Sequence, residues 1–329
     1  MHRVRIEGNY REMGLQQGRG LRAAGFVLPR QAAKMVRFAG ECEKLVERYA
    51  PELLEEIQGI SEGAGLNYEA LKTFTLTAPF EPQDVPSCTA IAITPERTKD
   101  SMPIVGRNYD FFFDESKEGA TTFSCYPEKG FASLGNCDIW VGREDGLNEA
   151  GLFVAQTRFF TRGLKPGLAF WLIIRLLLDR CPNVDEGLDL LRKIPHAQGF
   201  TYMLADSSGK AIGVEQALDG IEVRHPENGL LVMTNHAVCS RWAGKEAFVP
   251  SDSHSRYERL QKLLGSGTVD VEAVKRALRD HEGLVCSHGA HFPNRRFGTI
   301  WSLVGRPGKR ELEIADGQPC QNQYKKARF

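Results

Sequence analysis

Ala78-Pro-Phe-Glu-Pro-Gln-Asp-Val-Pro-Ser87, running directly into Cys88-Thr-Ala-Ile-Ala-Ile-Thr94, divides this chain into two unlike parts. The first stretch carries three prolines in ten residues, which no helix or central strand tolerates, so it reads as an exposed connector. The second alternates small polar and apolar residues, the pattern of a strand, and begins on a cysteine. Upstream the reading is helical. Residues 10–28 carry good helix formers, and residues 31–49 place apolar side chains at a 3.6-residue rhythm. Pro51 opens a third helix that ends near Gly63 or Gly65, and Asn67 is an N-cap for a fourth over 68–76. Downstream the signals turn to β at 103–109, 121–126, 131–134, 139–142 and 151–157.

Two helices follow, a nearly all-apolar one at 168–179 and an amphipathic one at 184–193. Strands return at 200–205, 211–216, 220–224 and 229–234, the first two joined by the turn Asp206-Ser-Ser-Gly209. Helices at 255–264 and 269–279 precede a closing hairpin of 298–304 and 311–315 around Pro307-Gly308. Strands clustered in hairpins with helices in blocks argue against a βαβ doubly wound fold. They fit an α+β architecture of two antiparallel sheets covered by helices on their outer faces.

The 329 residues are 42% hydrophobic and 26% charged, the balance of a globular chain with an ample core. Forty-two basic residues balance forty-two acidic ones, without the basic excess of a nucleic-acid binder. The longest apolar run, 168–178, is interrupted by Arg175 and falls short of the roughly 20 residues a bilayer requires. Met1-His-Arg-Val-Arg-Ile-Glu-Gly8 has no apolar core, so no secretory leader is expected. Eight cysteines without a CxxC pair read mostly as buried thiols of a reducing compartment, giving a cytoplasmic expectation. No dinucleotide or phosphate loop occurs, so no cofactor is expected.

Cys88 is either a small core residue that starts a strand or a nucleophile at a chain-cleavage point. A terminal cysteine carries its own base, since an α-amino group with a pKa of about 7.7–8.0 can take the thiol proton. That requires the Ser87–Cys88 bond to be cut, and a flexible connector can present such a bond. In Gly106-Arg107-Asn108-Tyr109-Asp110, Arg107 and Asp110 are either a surface ion pair or a guanidinium and carboxylate at the mouth of the strand beside Cys88. There Asp110 holds an ammonium and Arg107 lowers a thiol pKa. Asn148 in Gly146-Leu-Asn-Glu-Ala-Gly-Leu152 and Asn235 in Thr234-Asn-His236 are turn residues or oxyanion donors. Arg256 is a solvated helix charge or a member of the same site.

In this order the motifs resemble the N-terminal-nucleophile (Ntn) hydrolases of the choloylglycine hydrolase and penicillin acyl-transferase group. More narrowly they resemble the acyl-CoA:6-aminopenicillanate acyltransferase family, peptidase C45. Gly8-Asn-Tyr-Arg-Glu-Met-Gly-Leu-Gln-Gln-Gly18 and Leu53-Leu-Glu-Glu-Ile-Gln-Gly-Ile-Ser-Glu-Gly-Ala-Gly65 look like that family's pro-segment motifs. Gly298-Thr-Ile-Trp-Ser-Leu-Val304 and Ala315-Asp-Gly-Gln-Pro319 are similar to its closing strands, so the resemblance spans almost the whole chain. It implies a four-layer αββα sandwich with a helical pro-segment, 1–87, and a catalytic domain, 88–329, separated by self-cleavage before Cys88. The pro-segment would stay on as a non-covalent subunit of this zymogen once cut.

The resemblance further implies Cys88 as nucleophile with its freed amine as base. Arg107 and Asp110 would orient and polarise the pair, and Asn235 would be the leading oxyanion donor. Asn148 and Arg256 match positions that line the same site. The substrate would be a small-molecule amide, N-acyl or β-lactam in type, cleaved through a thioester, with water, an amine or acyl-CoA as a second reactant. A homo-oligomer is compatible with this reading; nucleic acid and membrane are not expected as partners. Ser87 stands where close relatives often carry glycine. Phe111, Phe112 and Phe113 read as an apolar pocket wall or as a buried strand end.

Competing readings rest on His281-x4-Cys286-x-His288-x2-His291, four soft ligands in eleven residues that could hold zinc in a protein of another class. No carboxylate or second ligand pair lies at the usual spacing, and Asp280-His281…Cys286-Ser-His288 resembles a segment of the same acyltransferase family that is not a metal site, so no metal is expected and these residues are expected to pack near the substrate entrance or in the core. Cys286 and His288 also permit a papain-like dyad, since side chains two apart on a strand share a face. An uncleaved scaffold that only binds a ligand is the remaining alternative.

Overall fold

Helices at the N-terminal end follow the caps and periodicity of the sequence. In the computed structural model, which describes residues 1–77, 87–113, 119–138, 140–161, 163–289 and 296–329, α1 (Tyr10–Ala23) starts with a capping box between Asn9 and Glu12. It stops before Gly25, which adopts a positive φ of 70°, and so is shorter than the pattern over 10–28 predicts. Next come α2 (Ala33–Tyr49), α3 (Pro51–Ala64) and α4 (Tyr68–Thr77), with left-handed Gly65 ending α3 and the Asn67 side chain accepting from the Ala70 amide. The proline-rich connector at 78–86 lies outside the described residues.

The helices are not the whole of this region. His2–Gly8 forms a strand, β1, paired in parallel with β4 (Thr121–Pro127), so the first 87 residues also contribute a sheet edge. The signal was Val4 and Ile6 at period two between charged residues; Ile6 is buried in the core.

An eight-stranded sheet runs in the order β1, β4, β5 (Ser133–Cys137), β6 (Asp145–Asn148), β7 (Phe153–Thr157), β8 (Phe200–Ala205), β9 (Ala211–Ala217), β10 (Gly220–Arg224). A six-stranded sheet runs β11 (Leu230–Met233), β2 (Thr89–Ile93), β3 (Ile104–Phe112), β12 (Phe297–Arg306), β13 (Glu311–Asp316), β14 (Lys325–Ala327). The expected hairpins form at Asp206–Gly209 and around Pro307, and all strand pairs but β1–β4 are antiparallel. One expected strand is displaced. Ile139 is outside the described residues, Trp140, Val141 and Gly142 are bends, and the strand is β6 instead. Here the backbone turns to the helix layer: the Arg143 amide donates to Trp171 O at 3.0 Å, and a Cβ on Gly142 would meet the Trp171 side chain at 2.4 Å.

Three buried clusters define four layers. One joins α1–α4, α5 (Phe170–Arg180) and α6 (Val184–Lys193) to the outer face of the larger sheet. A second lies between the sheets and contains Cys88, Tyr109, Leu147, Phe153 and Trp301. A third packs α7 (Ser253–Leu264) and α8 (Val271–Leu278) against the smaller sheet. The order is therefore αββα, as expected.

Close glycine contacts set the first helix layer. Gly14 and Gly18 of α1 face Gly59 and Gly63 of α3, and a Cβ at any of them would lie 2.1–2.5 Å from a backbone oxygen of the other helix. Beneath them Arg175 of α5 bonds Asp179 at 2.7 Å and Glu56 of α3 at 3.2 Å, while the Tyr10 hydroxyl donates to Asp179. These charges are fully buried, so removing one partner strands the rest.

Candidate active site

Strand register gathers the site at one end of the smaller sheet. β2 pairs with β3 so that Thr89 faces Asn108, and with β11 so that Ala90 faces Met233. The start of β2, the end of β3 and the residues just past β11 therefore meet, and these are Cys88, Asp110 and Asn235. Period-two alternation then sorts the side chains. Cys88 and Tyr109 face the core between the sheets. Arg107 shares that face, because it reaches Asp145 and Glu144 of the opposite sheet. Ser87, Thr89 and Asp110 face α7.

On the α7 side one guanidinium ties the start of β2 together. Arg256 donates to Cys88 O (2.6 Å), Thr89 Oγ1 (3.0 Å), Ser87 Oγ (2.7 Å) and Asn235 Oδ1 (2.9 Å), and pairs with Asp252 at 3.2 Å. Ser87 Oγ also donates to Asp252, and the Ser87 amide donates to Asp110 O at 3.2 Å. Arg256 is buried, not a solvated helix charge.

The Cys88 amide donates to Asn235 Oδ1 at 2.8 Å. Asn235 is itself fixed by Ser253 Oγ on its own amide and by Nδ2 donating to Arg158 O, each at 2.8 Å. It therefore holds the nitrogen of Cys88 through its carbonyl oxygen, a different task from the oxyanion donation that the motif implies.

On the other face Arg107 Nη2 lies 3.8 Å from Cys88 Sγ. Its Nη1 pairs with Asp145 at 2.8 Å, and Trp301 Nε1 and Asn136 Nδ2 donate to that carboxylate at 2.8 and 2.7 Å. Burial pushes the Cys88 thiol up to about 11, against the lowering effect of Arg107. Burial also raises Asp110 to about 7, with Arg256 and Thr299 pulling the other way. Thr299 reaches it because the β12–β3 register shifts between Thr299 and Trp301, leaving Thr299 opposite Asp110 with Oγ1 donating at 2.6 Å. The second Asp110 oxygen, Oδ2, is buried with no hydrogen-bond partner among the described residues.

Asn148 is not brought to this group. Leu147 faces the inter-sheet core with Cys88, so Asn148 points to the opposite side. Its Nδ2 donates to Leu178 O and Cys181 O at the end of α5, and its Oδ1 accepts from Leu152 N. Asn108 does the same at the end of α8, donating to Leu278 O and Val285 O. Both asparagines close helix ends, and the physical reason is the strand alternation that aims them outward.

Sequence reasoning passed over Asp252, Ser253, Thr299, Glu144 and Asp145. Glu144-Asp145 was legible as two adjacent acids directly after Arg143 at the start of a strand; burial raises the pKa of both. Asp252, one helical turn before Arg256, had the i,i+4 spacing of an ion pair. Phe111 and Phe113 are half-buried against the cluster that contains Cys88, whereas Phe112 turns away and packs on Phe297 at 5.3 Å.

Residues 97–321 match the model of the family described as acyl-coenzyme A:6-aminopenicillanic acid acyl-transferase; the match holds Arg107, Asp110, Asn235 and Arg256 and begins nine residues after Cys88. An uncharacterised protein of Archaeoglobus fulgidus is 23% identical over 337 aligned residues, which cover 83% of this chain and 56% of that protein. The chain thus spans about half the length of the curated relative it matches. A variant of conjugated bile acid hydrolase from Clostridium perfringens superposes with a TM-score of 0.51 at 16% identity, over 74% of this chain and 97% of that one. Penicillin V acylase from Agrobacterium tumefaciens gives 0.48 at 18%, over 70% and 83%. The first of these likenesses identifies the fold as the Ntn-hydrolase sandwich. Among the described residues no helix is long and apolar enough to cross a membrane.

Proposed function

The chain belongs to the acyl-coenzyme A:6-aminopenicillanic acid acyl-transferase family, and on that premise we propose that it is a self-processing N-terminal-cysteine amidohydrolase or acyltransferase acting on a small-molecule amide. The observation that carries this reading is that Ser87 and Cys88, the two sides of one peptide bond, are both gripped by Arg256 while the thiol faces Arg107 and the amide nitrogen faces Asn235. A core cysteine that merely starts a strand needs none of these partners.

In the proposed processing step Cys88 Sγ attacks the Ser87 carbonyl carbon. The C–N bond breaks, the thiol proton goes to the departing nitrogen, and Ser87 becomes a thioester on sulfur. Water then hydrolyses the thioester to a Ser87 carboxylate and a free thiol. The new amine occupies the place of the former amide, held by Asn235 Oδ1, and now serves as base for its own thiol. A thiol raised by burial to about 11 stays protonated at neutral pH, so that nearby base is required. In turnover the sulfur attacks a substrate amide, the amine leaves with a proton, and water or a second amine takes the acyl group. Phe111 and Phe113 favour an aliphatic or aromatic acyl group. Residues 1–87 remain bound after cleavage through β1 and the shared helix-layer core.

Denaturing electrophoresis with N-terminal sequencing tests this. Fragments of 87 and 242 residues are expected, the larger beginning Cys-Thr-Ala-Ile-Ala. Cys88→Ala should leave one band and no activity on a panel of N-acyl amino acids and lactams. A fully active preparation with Ser87 still joined to position 88 overturns the scheme.

A further inference from the structure

A second cluster, sharing no residue with the Cys88 group, lies where the loop after α8 meets the turn that follows β13. His288 Nε2 is 3.2 Å from His281 Nε2, 3.6 Å from Cys286 Sγ and 3.2 Å from Cys320 Sγ, and the four atoms all lie within 4.8 Å of one another. Three polar atoms thus crowd one imidazole nitrogen, which has a single proton or a single lone pair to offer. That nitrogen can hydrogen-bond only one of them directly, and Cys286 and Cys320 also contact each other. A cation at the common centre satisfies all four.

Three of the six spacings match the edges of a metal tetrahedron, and the rest lie within 4.8 Å. With zinc–sulfur bonds of about 2.3 Å and zinc–nitrogen bonds of about 2.0–2.1 Å, the edges are about 3.4 Å between nitrogens, 3.6 Å from nitrogen to sulfur and 3.8 Å between sulfurs. The three distances to His288 Nε2 fall within about 0.4 Å of those edges. The two imidazoles meet at 78° with centroids 4.9 Å apart, converging through their nitrogens without stacking. A Cys286–His288 dyad would use two of these atoms and leave His281 and Cys320 pressed on the same nitrogen.

We propose that His281, Cys286, His288 and Cys320 form a closed, four-coordinate structural zinc site. His291, the fourth ligand suggested by the local motif, lies outside the described residues; Cys320, distant in sequence, supplies the fourth donor. Binding converts two thiols to thiolates and releases two protons, so the two singly negative sulfurs together neutralise the divalent ion. The site staples the loop to the C-terminal turn, a junction also held by Arg279 Nε donating to Pro319 O. Next to Cys286, the Ser287 amide donates to Thr299 Oγ1, the hydroxyl that donates to Asp110, so the staple supports the wall of the Cys88 site. Four protein ligands leave no open position, which makes the ion structural and independent of whether the Ser87–Cys88 bond is cut.

The full chain, purified in zinc-supplemented medium and passed through a desalting step, should carry about one zinc per molecule by elemental analysis. Native mass spectrometry should show one zinc gained and two protons lost. Cobalt reconstitution should give the visible bands of a tetrahedral site with thiolate charge transfer, read on the unmutated protein so that a folding failure cannot mimic the result. Cys320→Ser and His288→Ala should lose the metal, and a strong chelator should lower the melting temperature of the parent but not of Cys320→Ser. Sub-stoichiometric zinc in the parent, or metal retained in a Cys286→Ser/Cys320→Ser double variant, overturns the proposal. So does a denatured thiol count of six in place of the eight cysteines, which would mean a Cys286–Cys320 disulfide.

Discussion

Replacing Asp110 with Asn should stabilise the fold at alkaline pH. The carboxyl is fully buried and its pKa is raised from 3.8 to about 7, chiefly by loss of solvation. Between those values the native chain holds a proton that the unfolded chain has lost. Stability is therefore fullest below about pH 4, falls as pH rises towards 7, and is level above. Three units correspond to about 4 kcal/mol lost at pH 8, and to roughly 1–2 kcal/mol at pH 5. Asn removes the titration but brings an amide that would point where Oδ2 now has no partner, costing roughly 1–3 kcal/mol at every pH.

The net effect is a gain of about 1–3 kcal/mol at pH 8 and none, or a small loss, at pH 5. The comparison is made in a Cys88→Ala background, so that both proteins stay in one piece, by urea titration at the two pH values. The pH-dependent difference, about 2–3 kcal/mol, does not depend on the amide cost. If the two proteins differ by the same amount at pH 5 and pH 8, Asp110 is not a neutral acid held in the native fold, and the electrostatic account of the site fails.

Gly59→Ala should destabilise by about 1–3 kcal/mol in thermal melts, although helix propensity alone favours Ala by about 1 kcal/mol, because the new Cβ would lie 2.1 Å from Arg11 O; a stabilised variant refutes the interlocked-glycine packing. Asn148→Ala should cost roughly 2–4 kcal/mol in denaturant while leaving kcat of the folded enzyme unchanged, since its bonds close the end of α5. A fall in kcat without a fall in stability would return Asn148 to the active site. Arg256→Lys keeps the charge facing Asp252 but cannot span Ser87, Cys88 and Asn235 together, so processing followed by gel densitometry should slow by about 100-fold or more.

The sequence by itself determined the order of elements, the α+β class and the position of the candidate nucleophile. These follow from local causes: hydrophobic period, caps such as Asn9 and Asn67, and the proline run that separates helices from strands. It also offered Arg107, Asp110, Asn235 and Arg256 as candidates, each within a short local motif. Only the tertiary structure decided which side of a strand each one serves. Asn148 sits in a motif as recognisable as that of Asn235, yet the alternation set by Leu147 turns it to a helix end. Asn235 meets Cys88 with its oxygen because Arg158 O claims its nitrogen. Cys320 joins His281, Cys286 and His288 only through the β12–β13 return. The register that sets these outcomes is fixed by long-range pairing and burial, and neither is written in the spacing of neighbours along the chain.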